Sequence, residues 1–148
     1  MARRVGDTPE VRSSRGTTRI LLRGATVYDY PESRPKKDEH TDEPKAFGGV
    51  YVNDAARAAF ADARRDPFPV GSIIVREKLA RADAAQAQLL AVMVKRAPGF
   101  NPEAGDWEFL IADGALAKVR ERQKRGSCLD CHAAQRAHDF VFSMPMPK

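Results

Sequence analysis

Cys128-Leu129-Asp130-Cys131-His132 brings together both cysteines of the chain and one of its three histidines. In a C-x-x-C-H run the two thiols can add to the two vinyl groups of a haem, and the adjoining imidazole then lies under the iron as an axial ligand. Positions three apart on a helical turn share a side, so Cys128 and Cys131 can straddle one porphyrin edge while His132 is delivered to the metal. The run therefore reads as the attachment site of a single haem c, with Cys128, Cys131 and His132 binding the group and His132 ligating its iron.

Three other chemistries compete for these residues. A structural zinc site needs four nitrogen or sulfur ligands, and the remaining histidines, His40 and His138, form no second pair. A redox C-x-x-C of the thioredoxin kind opens a β-α-β unit, whereas this one lies near the C-terminus with no such unit ahead of it. Two coincidentally buried thiols leave the adjoining histidine unexplained.

The elements that must position this run belong to a chain of 148 residues, 43% apolar and 30% charged, which fits one domain with a real core. The formal charge is +5. Cations and acids are interleaved, as in Lys36-Lys37-Asp38-Glu39 and Arg76-Glu77-Lys78. That pattern fits solubility or docking to an acidic redox partner better than a phosphate-binding stripe, and no nucleic acid is expected as a partner. No run reaches the ~18 apolar residues of a membrane span. Met1-Ala2-Arg3-Arg4-Val5-Gly6-Asp7 carries positive charge with no apolar run behind it, so no secretory leader is visible. Because c-type haem is attached outside the bacterial cytoplasmic membrane, the expected location is the periplasm, with the leader removed.

Residues 1–45 read as a polar N-terminal arm and loop, and residues 46–148 as the folded domain. Within the first, Ile20-Leu21-Leu22 and Ala25-Thr26-Val27-Tyr28 are candidate short strands, and Pro31 to Pro44 is a charged loop. Phe47 to Val52 is rich in β-formers, and Asn53-Asp54 offers an N-cap to an alanine-rich helix from Ala55 to about Arg65. Gly71 to Leu79 is the clearest strand, with Ile73-Ile74-Val75 at its centre. Ala80 to Arg96 reads as a loop and then a strand over Leu89 to Val94, and Trp107 to Ile111 as another strand closed by a turn at Asp113-Gly114. Leu116 to Arg125 leads into the haem helix, and Phe140 to Phe142 reads as a last strand. The whole is an α+β, mainly antiparallel sheet flanked by helices in a single domain.

Val50-Tyr51-Val52-Asn53, Phe68 to Glu77, Asp106-Trp107-Glu108-Phe109, Cys128-x-x-Cys131-His132 and Asp139-Phe140-Val141-Phe142 follow one another in order. Taken together over Phe47 to Phe142, they resemble the cytochrome P-460 and cytochrome c′-beta family. The resemblance implies a mainly antiparallel β fold, a homodimer, and one covalently attached haem c with His132 as proximal ligand and an open distal face. In catalytic members a lysine of a V-K-E stretch is bonded to a haem meso carbon and the group oxidises hydroxylamine; members without that bond bind NO or CO. Here the lysine position holds Arg76, and a guanidinium stays protonated and is a poor nucleophile.

Two expectations about the iron follow. Without the link, an open five-coordinate iron would bind NO or CO in NO scavenging or sensing, with Arg76 pairing with a haem propionate or donating to the ligand. The competing role for Arg76 is a surface salt bridge to Glu108 or Asp106. Phe60, Phe68, Phe109, Phe140 and Phe142 are candidate pocket walls, each also an ordinary core residue. The alternatives are hydroxylamine oxidation through Lys78, which lies ~7 Å along the same strand face but reads more simply as a solvated lysine, or electron transfer with Met144 or Met146 as sixth ligand.

Overall fold

The β-branched triplet Ile73-Ile74-Val75 opens a strand that pairs on both sides, and the sheet grows outward from it. The computed structural model of the protein describes residues 2–4, 26–29, 48–61, 67–81, 86–114 and 118–142. Its strands are β1 (Ala2–Arg4), β2 (Thr26–Asp29), β3 (Gly49–Val52), β4 (Ile73–Lys78), β5 (Leu89–Lys95), β6 (Trp107–Asp113) and β7 (Val119–Gln123). They form one seven-stranded sheet in sequence order, every neighbouring pair antiparallel. Two short helices, α1 (Asp54–Ala61) and α2 (Ser127–His132), complete the expected α+β domain.

The register sorts the side chains onto two faces, because successive residues of a strand point to opposite sides. One row of the inner face runs Val52, Ile74, Met93, Phe109, Gln123, and the next runs Val50, Arg76, Ala91, Ile111, Glu121. The first row, from Val52 to Phe109, is buried under Ala56 and Phe60 of α1 together with Phe68, Trp107, Phe140 and Val141. Tyr51, Val75, Leu90 and Ala112 form a second core on the outer face with Leu79 and Ala87. Each such apolar side chain contributes about 1.5–3 kcal/mol on burial. With apolar contacts on both faces, β5 reads as an unbroken apolar run rather than an alternating one.

Local chemistry sets the boundaries. The Asn53 carboxamide caps α1 by accepting from Ala56 N at 3.1 Å, accepts from Ile73 N at 3.0 Å, and donates to Gly71 O at 2.9 Å. One side chain thus starts a helix and pins the head of β4.

The structure departs from the sequence expectations in several places. Leu116 to Arg125 contains β7, an edge strand whose residues Val119 to Arg122 are exposed and whose polar composition carries no burial signal. Phe140 to Phe142 is not a strand: the chain leaves a 3-10 segment, Ala133–His138, with φ of 52° at Asp139 and 64° at Phe140, outside the extended range. Ala2–Arg4 pairs with β2, within the stretch read as a loose arm. The candidate strand at Ile20 to Leu22, the loop from Pro31 to Pro44 and the helix extension over residues 62–66 lie outside the described residues.

Replacing Asn53 with Ala removes three hydrogen bonds at the α1 and β4 junction. Stability is expected to fall by about 1–2 kcal/mol, read as a lower urea midpoint with an unchanged denaturant slope.

Candidate functional site

The edge strand β7 runs directly into α2 through Gly126, whose φ of 100° suits glycine. The Asp130 amide closes the first turn on Gly126 O at 2.9 Å, and the Cys128 amide donates to Gln123 Oε1 at 3.3 Å. Cys128 and Leu129 rest on the inner core, half-buried, and Cys131 and His132 are half-buried one turn on. Both thiols are present as cysteines not joined in a disulfide. Burial, and then the Glu121 carboxylate, push the Cys128 thiol above its ordinary pKa. A redox-active C-x-x-C needs the opposite shift.

His132 is held from three sides. Its Nδ1 lies 2.7 Å from Phe140 O, and a carbonyl only accepts, so Nδ1 carries the proton and Nε2 the lone pair of the neutral ring. Phe109 and Phe142 flank the imidazole with ring centroids 5.3 Å and 5.1 Å away.

Behind this contact stands a buried network that composition and spacing do not reveal. Asp139 receives Lys95 Nζ on both carboxylate oxygens, at 2.9 Å and 2.8 Å, with both side chains about nine-tenths buried. Its Oδ2 also accepts from Phe68 N at 2.8 Å, and its backbone oxygen accepts from Trp107 Nε1 at 2.8 Å. Opposite the turn, Gly105 has φ of 62°, and a Cβ built there would lie 2.7 Å from Asp139 Oδ1. The only trace of this in the sequence is the Asp139-Phe140 pair within the last stretch of the family resemblance.

The other sequence candidates fall at different distances from His132. Arg76 sits on the inner face, half-buried, in the row that continues through the half-buried Ala91 and Ile111 to Glu121, the residue whose charge reaches Cys128. Phe60 and Phe68 are buried in the inner core, Phe68 edge-on to Trp107 at 5.6 Å. Phe140 contributes its carbonyl rather than a ring to the histidine. His138 is exposed. His40, Met144 and Met146 lie outside the described residues.

Two side-chain expectations are corrected. Lys78 is not a solvated strand end: it is 2% exposed, on the inner face one residue pair beyond Arg76. Glu108 is no partner for Arg76, since it lies on the outer face and binds Arg122 at 2.7 Å and Arg96 at 3.3 Å. Asp106 is engaged by the amides of Gly99 and Asn101. Among the described residues, no cluster of three or more His, Cys, Asp or Glu side chains is arranged to hold a metal ion, so the zinc alternative lacks a ligand set there.

These residues fit a c-type haem. Two thiols lie one turn apart, an imidazole has its proton fixed on the far nitrogen, and Ile111, half-buried, follows two residues after the Phe109 that flanks the imidazole. Replacing Glu121 with Gln is expected to bring the Cys128 thiol back toward its ordinary range. In the chain before haem attachment, Cys128 would then alkylate faster at a given pH, followed by mass spectrometry. No curated protein matches the chain. The family model for Cytochrome P460 matches residues 27–143.

Proposed function

The chain belongs to the cytochrome P460 family, and from that premise we propose that it is a periplasmic mono-haem c protein of the P-460 and c′-beta type. It binds NO, CO or similar small ligands at an open iron, in NO scavenging or sensing. The observation that carries this is the His132 ring, whose Nδ1–H is committed to the Phe140 carbonyl at 2.7 Å. A histidine that ligates a metal through Nε2 is held in this way.

Each residue has a role. Cys128 and Cys131 would hold the haem through two thioethers, formed by adding S–H across its vinyl groups with no oxidant needed. His132 would ligate the iron, with Phe109 and Phe142 flanking its ring. Ala91 and Ile111 themselves offer no hydrogen-bond donor, so Arg76 is the donor of this row. Arg76, at the lysine position of the catalytic relatives, pairs with a propionate or donates to the bound ligand. Phe60 and Phe68 back the pocket from within the core. The iron supplies a coordination position to which a diatomic ligand can bind. A homodimer, and an acidic redox partner drawn by the net charge of +5, complete the proposal.

The burial of Lys78 on Arg76's face favours one second function, hydroxylamine oxidation through a displaced lysine–haem link. Optical spectra of the matured protein separate the alternatives. A high-spin ferrous spectrum that shifts on adding CO and NO, with an ordinary pyridine haemochrome, is the expected outcome. A far-red ferrous Soret band would assign the Lys78 link. Sharp low-spin bands indifferent to CO would assign an electron carrier using Met144 or Met146. Cys128→Ala with Cys131→Ala is expected to abolish covalent haem while leaving the sheet folded.

A further inference from the structure

We infer that the buried ion pair between Lys95 and Asp139 is a positioning device for the axial histidine, fixing the turn whose Phe140 carbonyl sets how strongly His132 donates to the iron. The device presupposes the haem assignment proposed above.

A backbone carbonyl orients an imidazole only if the carbonyl itself cannot move. Phe140 follows Asp139, and both residues adopt left-handed backbone angles, φ 52° and 64°, which non-glycine residues avoid on steric grounds. Two consecutive residues of this kind persist only where the surroundings over-determine them. Here Asp139 is fixed at every polar atom beyond its own amide. Lys95 Nζ spans the two carboxylate oxygens, Phe68 N adds to one of them, and Trp107 Nε1 holds the backbone oxygen. Phe140 N in turn donates to Gln135 O at 2.8 Å. The Asp139 anchors come from the ends of β5 and β6 and from the segment before β4, so the carbonyl is referenced to the sheet as well as to the 3-10 segment that follows His132.

That arrangement has an electronic consequence. A short, well-directed Nδ1–H···O contact moves the imidazole toward imidazolate character, making it a stronger donor and lowering the reduction potential of the metal it binds. Relaxing the turn lengthens or bends this contact and reverses both effects. A pair that merely stapled the C-terminal segment to the sheet would change stability without touching either quantity.

The test uses the haem-loaded protein and four variants: Asp139→Asn, Lys95→Met, Lys95→Arg and the double variant Asp139→Asn with Lys95→Met. Haem content is scored by the pyridine haemochrome, the iron–histidine bond by its resonance Raman stretching frequency in the ferrous state, and the midpoint potential by titration, which can be measured with or without a sixth ligand. Asp139→Asn and Lys95→Met are expected to lower the stretching frequency and raise the potential together. Lys95→Arg stays near the parent, and the double variant shifts no further than the larger single one. Frequency and potential at parental values, with only the melting temperature reduced, would overturn the inference while leaving the haem proposal standing. A parent chain that yields no haemochrome overturns both. Should Asp139→Asn fail to accumulate, Lys95→Met, which keeps the carboxylate and its Phe68 hydrogen bond, decides on the same two readouts.

Discussion

A carboxylate and an ammonium withdrawn together from water hold the end of this domain in place. Asp139 and Lys95 are each about nine-tenths buried, and desolvating two charges is costly unless their remaining hydrogen-bonding capacity is used. It is used here: both carboxylate oxygens bind Nζ, and one also takes the Phe68 amide. Hydrogen bonds to charged groups contribute about 1.5–3 kcal/mol each. Together they offset the strain of two left-handed residues, about 1–3 kcal/mol apiece. Losing one partner of a buried pair costs about 3–5 kcal/mol, because the other charge is left stranded. The turn therefore has one conformation, and the Phe140 carbonyl has one direction.

The sheet explains why the site lies where it does. Along the inner face, the row from Val52 to Phe109 is closed over by α1, Phe68 and the segment after α2. The next row, through Arg76, Ala91 and Ile111, is only partly covered. That partly covered row ends at Glu121, two residues from the Gln123 that accepts from the Cys128 amide. The outer face handles charge differently. There Glu108, itself buried, is neutralised by Arg96 and Arg122, whose longer side chains keep their ends toward water.

Residues with local meaning were legible. The C-x-x-C-H run is readable as a candidate haem-attachment site because thioether formation and axial ligation need those types at that spacing. Asn53 and the β-branched triplet announce a helix start and a strand because capping and β-propensity act within a few residues. β7 was hidden because an exposed edge strand has no apolar face to create a period. Lys78 reads as solvated from its type and its place at a strand end, yet its side chain points inward and is covered.

By itself, then, the sequence determined the family, the antiparallel α+β class and the presence of the C-x-x-C-H run and of Arg76. Each of these depends on residue identity and short-range spacing. Only the tertiary structure decided that Lys95 meets Asp139, 44 residues away, that the Phe140 carbonyl meets His132 Nδ1, and that Glu108 and Arg76 face opposite ways. Those facts follow from strand register and from a strained turn held by distant partners. Neither leaves a periodic mark along the chain.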